Sequence, residues 1–236
     1  MNLSLRRLAL PGLIAAALLG AIALYVARPG RQAPEAAPTI VGSAACASCH
    51  TNAWTLWQQS HHRHAMDPAD DKSVLGNFDN ATFDYFGARS RFFRRDGRYY
   101  VETDNARGER ETFPIAYTFG IAPLQQYLVE FPDGRLQALG ISWDSRTAAE
   151  GGQRWFHLYP DRKVDSKDAL HWTGAFQNWN SRCAACHTTG LSKGYQPAQN
   201  RYETRWAETG VGCEACHGPG SRHLAWAKGE STIPDK

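Results

Sequence analysis

Short hydrophobic runs separated by polar turns fill the middle of the chain, and this pattern predicts β-strands there. The runs are rich in aromatic and β-branched residues, and six can be delimited: Thr82–Gly87, Ser90–Arg95, Arg98–Asp104, Thr112–Phe119, Tyr127–Phe131 and Leu136–Ile141. Asp96-Gly97 lies between the second and third runs and Pro132-Asp133-Gly134 between the last two, and both sequences are typical of hairpin turns. We therefore predict an antiparallel β unit of four to six strands over about residues 80–142.

Helical and loop segments are predicted on both sides of this β unit. The stretch from Cys46 to about His64 is predicted to be helical, and helical segments return from Asp168 onward. The residues that recur at helical spacing in the first stretch are His50, Trp54, Trp57, His61 and His64. The predicted fold class is therefore α+β.

The N-terminus combines a charged start with a long uncharged run. Arg6-Arg7 precede Leu8–Val26, which is about 28 Å long as a helix and so borders on membrane-spanning length. Arg28 and Arg31 follow without a clean cleavage site. We predict a signal anchor over residues 1–27, with a removed signal peptide as the alternative. A linker over 28–41 and one domain over 42–236 would follow, outside the cytoplasm.

Composition narrows the class of protein further. The chain has 236 residues with a formal net charge of +3. This slight charge, without a basic cluster interleaved with aromatic residues, predicts no nucleic-acid partner. About 195 residues beyond the leader are enough for one domain.

All 6 cysteines fall in three copies of the pattern Cys-x-x-Cys-His. The copies are Cys46–His50, Cys183–His187 and Cys213–His217. Cysteines three residues apart lie on one side of a helical turn, where both can form thioethers with the vinyl groups of one porphyrin. The histidine that follows can ligate the iron. The pattern predicts three covalent haem c groups, and the residues that hold them would be Cys46, Cys49, His50, Cys183, Cys186, His187, Cys213, Cys216 and His217.

Two other chemistries use paired cysteines. Disulfides would need no histidine after each pair. A zinc site would use two pairs around one ion, which the second and third pairs could imitate, but the first pair would then have no partner.

The sixth coordination position of each iron needs a further ligand. Six histidines remain, and they are His61, His62, His64, His157, His171 and His223. The chain has only 2 methionines, so bis-histidine ligation and low potentials are predicted. For His157 we favour a core histidine.

A continuous helix would prevent His61 from ligating the same iron as His50. Eleven residues separate them, or about 16 Å along a helix, whereas two ligands of one iron lie about 4 Å apart. The cluster from His61 to His64 should therefore serve another haem, or else form a solvent-facing patch. Gly218-Pro219-Gly220 turns the chain sharply and could direct His223 at a neighbouring iron; the alternative is a surface histidine.

The stretches Val211–His223 and Cys46–Met66 resemble the multihaem cytochrome c-554 family. Further stretches resemble a narrower branch, in which a multihaem region precedes tetratricopeptide repeats: Tyr117–Gly120, Phe131–Arg135, His171–Gly174 and Gln177–Asn180. The resemblance covers most of residues 41–227. The chain ends at Lys236 without such repeats, and we expect a truncated or minimal form.

The resemblance implies a helix and loop scaffold of closely stacked haems, into which the β unit is inserted between the first and second motifs. It also implies that His62 and His223 each ligate a haem other than the nearest in sequence. Helical spacing favours His61 instead, and we choose His62. His171 is the third distal candidate.

These observations predict an electron carrier on the periplasmic side of the membrane. Haems ligated on both faces pass electrons but have no vacant site for a substrate. Redox proteins would be its partners, and residues 8–26 would anchor it in the inner membrane. The alternatives are a multihaem oxidoreductase of small nitrogen or sulfur compounds and a haem-based sensor, and each needs an open iron site.

Overall fold

The computed structural model describes residues 36–231, and its largest element is an antiparallel sheet of nine strands. The strands are β1 (Met66–Pro68), β2 (Ala81–Tyr85), β3 (Ala88–Arg95), β4 (Arg98–Asp104), β5 (Arg110–Phe119), β6 (Leu124–Glu130), β7 (Leu136–Ala138), β8 (Ile141–Asp144) and β9 (Arg154–His157). Their order across the sheet is β2-β3-β4-β5-β6-β8-β9, with β1 paired to β5 and β7 paired to β6. The sheet lies between the first and second cysteine motifs in sequence.

The hairpin between β3 and β4 has the turn that its sequence predicts. Asp96 and Gly97 both have positive φ angles, 52° and 71°, and Arg95 pairs directly with Arg98. This two-residue turn matches the twist of the strands that it joins.

The strands extend beyond the predicted range of 80–142. Short β1 and the last strand, β9, lie outside it. The connection from β8 to β9 contains a 3₁₀ turn at Ala148–Glu150 and is not a two-residue hairpin turn. A four-residue strand after such a loop leaves little pattern to recognise.

Short helices and two small sheets carry the cysteine motifs. The α-helices are α1 (Thr51–Gln58), α2 (Trp179–Arg182), α3 (Ala184–His187), α4 (Cys213–His217) and α5 (Ser221–Ala227). The other 3₁₀ turns are Ser43–Cys46 and Ala175–Gln177. The remaining strands are β10 (Thr188–Thr189), which pairs with β13 (Glu208–Thr209), and β11 (Tyr195–Gln196), which pairs with β12 (Arg201–Tyr202). Together with the large sheet, these helices confirm the α+β class.

The helix predicted from Cys46 to His64 is wrong beyond Gln58, because the chain turns there. The Ser60 hydroxyl donates a hydrogen bond to the Trp57 carbonyl at 2.7 Å and accepts one from the Arg63 amide at 3.3 Å. A serine that bonds the backbone in this way competes with continuation of a helix. His61 and His62 therefore leave the axis of α1.

A hydrophobic cluster fastens the second motif to the sheet. Met66 and Leu128, on β1 and β6, are fully buried and pack in one cluster with Trp179 and Ala184. Asn180 reinforces the contact, since its amide oxygen accepts a hydrogen bond from the Leu136 amide at 2.7 Å. A larger aromatic cluster around Phe92 and Trp155 fills the other side of the sheet.

The predicted anchor over residues 8–26 lies outside the described residues, as does most of the linker over 28–41. Within residues 36–231, no helix combines the length and apolar character that crossing a bilayer requires.

Candidate haem sites

Each Cys-x-x-Cys-His motif lies at a short helical turn. The first motif joins a 3₁₀ turn to α1, the second lies at α3, and the third forms α4. The second cysteine of each motif is exposed: these are Cys49, Cys186 and Cys216. All 6 cysteines are free thiols in this structure.

The first and third motifs face each other across one cavity of about 200 Å³. Its walls are formed by Cys46, His50, Ala53, Trp54, Trp57, His62, Val211, Gly212, Cys213, Cys216 and His217. The Trp57 indole is fixed there because it donates a hydrogen bond to the Val211 carbonyl at 2.8 Å. The flat indole rings of Trp54 and Trp57 beside cysteines of both motifs suit a flat porphyrin.

The cysteines of these two motifs also influence each other. Burial raises the pKa of the Cys46 thiol, and the adjacent Cys213 thiol raises it further through charge and a hydrogen bond. The carboxylates of Glu214 and Glu208 act in the same direction. The two thioether positions therefore lie side by side, in a locally negative environment.

His223 lies opposite the histidine of the first motif. The ring centres of His50 and His223 are 6.1 Å apart, with an angle of 34° between the rings. Two metal–nitrogen bonds of about 2 Å each, extended to the ring centres, require a separation of about 6 Å. The pair is thus spaced to ligate one iron from opposite sides.

The structure separates the two candidates in the histidine cluster. Both His61 and His62 are exposed, but His62 lines the shared cavity and His61 does not. His62 is held there because its carbonyl accepts a hydrogen bond from the Val211 amide at 2.8 Å. His64 instead contacts Asp67, with 2.9 Å between its Nδ1 and a carboxylate oxygen.

The histidine of the second motif is oriented by the chain that follows α1. Nδ1 of His187 lies 2.7 Å from the Ala65 carbonyl oxygen. Because a carbonyl only accepts, Nδ1 carries the proton and Nε2 keeps its lone pair for a metal. A backbone partner of this kind is typical of metal-ligating histidines. The rings of His187 and Phe119 also pack nearly perpendicular to each other, with their centres 5.4 Å apart.

His171 does not offer a free nitrogen in the same way. Its Nε2 lies 3.0 Å from an Asp104 carboxylate oxygen and its Nδ1 lies 2.8 Å from the Thr173 hydroxyl. The carboxylate only accepts, so Nε2 is the protonated nitrogen. Burial, the largest single influence, raises the pKa of Asp104, but the hydrogen bond and charge of His171, together with hydrogen bonds from the Asp104 amide and the Thr103 hydroxyl, make the net shift downward. His171 as a distal ligand stays a prediction, and this geometry does not favour it.

His157 shares a small cavity with His171 and Asp104, and no cysteine-motif residue lines that cavity. Burial lowers the pKa of His157 to about 4. Its ring stacks on Tyr85 at 3.7 Å, as expected of a core histidine.

Several residues that position the cysteine motifs and their histidines belong to no sequence motif that would identify them. Trp57 and the Ala65 carbonyl are two, and Glu214 and Glu208 are two more. For Glu214 the sequence does offer one signal, because an acidic residue occupies a variable position of the third cysteine motif. The structure shows that this carboxylate is buried.

The donor set fits haem better than a bare ion. Within residues 36–231, no three His, Cys, Asp or Glu side chains converge as the ligands of a metal ion would. The spacing of His50 and His223, the free thiols and the oriented His187 all fit an iron porphyrin.

Comparisons with known proteins agree with this chemistry. The family model for cytochrome c554 and c-prime matches residues 45–81 and 145–218, just under half of the chain, and the matched segments contain all three motifs. This match supports a multihaem c-type cytochrome. The matched family implies covalently bound haem c with iron and a role in electron transfer. The segment between the two matched ranges, residues 82–144, contains most of the sheet.

Other comparisons add little. The crystal structure of an outer cell wall cytochrome, OcwA, aligns with this cytochrome at a TM-score of 0.49 and 22% identity. The alignment covers 83% of this chain but 35% of that one, so the chain spans about a third of its length. A comparison with the curated proteins found no match.

Proposed function

We propose that this cytochrome carries three haem c groups and transfers electrons between redox partners outside the cytoplasm. The thioethers would form at the three cysteine pairs, and His50, His187 and His217 would be the proximal ligands. When bound, each haem supplies a one-electron iron couple. The observation that carries the proposal is the 6.1 Å separation of the His50 and His223 rings, because this spacing matches that of two axial imidazoles on one iron.

Two irons would be closed to substrates. His223 would complete the coordination of the iron held by His50. His62 shares the cavity with His217 and would complete the coordination there, since His50 already has a partner. Irons ligated on both faces exchange electrons without binding a substrate.

The arrangement favours rapid transfer between these two haems. Cys46 and Cys213 are in contact, so the porphyrins attached to them would be neighbours. The exposed second cysteines would place haem edges near the surface, where a partner protein could approach.

Covalent haem attachment would make the cysteines compatible with an oxidising compartment outside the cytoplasm. Close free cysteines such as Cys46 and Cys213 would tend to oxidise in an exported protein. Thioether bonds to haem would remove that liability. An anchor at residues 8–26, or a cleaved signal peptide over the same region, would deliver the domain to the periplasmic side.

The oxidoreductase alternative depends on the second motif. Both nitrogens of His171 already have polar partners, so the iron of His187 would lack that distal ligand. A five-coordinate haem at this motif is what an enzyme acting on small nitrogen or sulfur compounds would require.

Two measurements on the purified holoprotein test the proposal. The intact mass should exceed that of the polypeptide by three haems, and a peroxidase stain of a denaturing gel should colour the band. A variant with Cys183→Ala and Cys186→Ala should lose one haem and keep two. A mass without covalent haem would refute the proposal. A high-spin ferric signal that shifts with cyanide and disappears in that variant would favour the oxidoreductase.

A further inference from the structure

Glu214 is a buried carboxylate inside the third cysteine motif. Its side chain is 6% exposed although its neighbours Cys213 and Cys216 face the haem cavity. Buried glutamates are rare unless their oxygens are fully partnered.

Both oxygens of Glu214 accept hydrogen bonds from the backbone. The Val41 amide lies 2.9 Å from one oxygen and 3.1 Å from the other, and the Gly42 amide donates at 2.7 Å. The Gly220 amide donates at 2.6 Å. All donors are N–H groups, so both oxygens act only as acceptors, as those of an ionised carboxylate do.

These donors belong to the two segments that carry the axial ligands of one iron. Val41 and Gly42 lead directly into the first motif, which contains His50. Gly220 immediately precedes α5, which contains His223. One side chain on the third motif therefore connects the backbone on both sides of the His50–His223 pair.

A second carboxylate supports the same junction. Glu208 accepts hydrogen bonds from the amide and hydroxyl of Ser43, at 3.0 Å and 2.8 Å. The Ser43 hydroxyl in turn accepts a hydrogen bond from the Cys213 amide at 2.9 Å. The first and third motifs are thus joined twice through acidic side chains.

We propose that Glu214 is a positioning residue for this haem pair: it holds His50 and His223 in register across one iron, and its charge lowers the reduction potential of the adjacent haems. The proposal rests on the proposed haem attachment. Negative charge near a haem stabilises the ferric form, which carries the extra positive charge. Glu214 also acts electrostatically on Cys46, so its charge is felt at the attachment point.

The test uses the holoprotein and three variants. Glu214→Gln keeps the shape but removes the charge and presents an N–H₂ group to backbone donors. Glu214→Asp keeps the charge. Glu203→Gln is the matched control, because Glu203 is a partly exposed glutamate on the loop between the second and third motifs. Haem content, ferric electron spin resonance and potentiometric titration are measured on each.

We expect Glu214→Gln to retain three haems, to raise at least one reduction potential and to introduce a high-spin ferric component. The reduction potentials of the aspartate variant should lie closer to those of the unaltered protein than the potentials of the glutamine variant do. The Glu203→Gln control should match the unaltered protein in its spin-resonance spectrum and in its reduction potentials. A glutamine variant whose spectra and potentials equal those of the control would overturn the proposal.

Glu208→Gln covers the case in which Glu214→Gln does not fold. It removes one charge from the same junction and should produce a smaller upward shift of the same haem potential; no shift would count against the proposal. Absence of covalent haem from the unaltered protein would instead refute the proposed function, so the two failures are distinguishable.

Discussion

Replacing His223 with alanine tests the most specific distance in the structure. The variant removes one ring of the pair whose centres are 6.1 Å apart and, on the proposed ligation, would leave His50 as the one axial ligand of its iron. An iron with one axial imidazole becomes five-coordinate and high-spin, while the other haems are unaffected. If three haems are present, about one third of the ferric iron should therefore change spin state.

Electron spin resonance of the oxidised protein measures this fraction by integration of the high-spin signal. Cyanide should convert that fraction back to low spin, because it fills the vacant position. His61→Ala is the control, since His61 is exposed and does not line the haem cavity. A His223→Ala protein with an unchanged low-spin spectrum would show that His223 is not an axial ligand.

Three further predictions concern the scaffold. In Gly212→Ala, the new Cβ would lie 2.5 Å from both the Glu208 carboxylate and the Ser43 hydroxyl, so we expect a loss of about 1–3 kcal/mol in denaturant unfolding, and an unchanged midpoint would contradict the close packing. Met66→Ala should cost about 2–5 kcal/mol in the same assay, because Met66 is fully buried where the sheet meets the second motif. Burial lowers the pKa of His157 to about 4, below its value in the unfolded chain, so protonation favours unfolding and stability should fall as the pH drops from about 6.5 to 4. Unfolding of His157→Gln at both ends of that range should show a weaker dependence on pH, and an equal dependence would exclude His157 as its source.

Local sequence signals predicted the parts of this protein that are formed by neighbouring residues. The Asp96-Gly97 turn needs two residues with positive φ, and these two adopt that conformation readily, so the hairpin was predictable. The cysteine motifs were predictable for the same reason, because a haem attachment site spans five consecutive residues. Short strands such as β9, which follow irregular loops, were not.

The sequence by itself determined the class of cofactor, haem c, and the α+β class, and it predicted the points of attachment, because each depends on spacing within a few residues. Only the tertiary structure decided which motifs share a cavity and which other histidines lie close to those motifs. His50 and His223 are separated by more than 170 residues, and the end of α1 at Gln58 moved His62 rather than His61 into the cavity wall. The hydrogen bond between the Val41 amide and Glu214 joins residues that are just as far apart in sequence. Contacts of this kind arise from the packing of distant segments, and no periodicity along the chain records them.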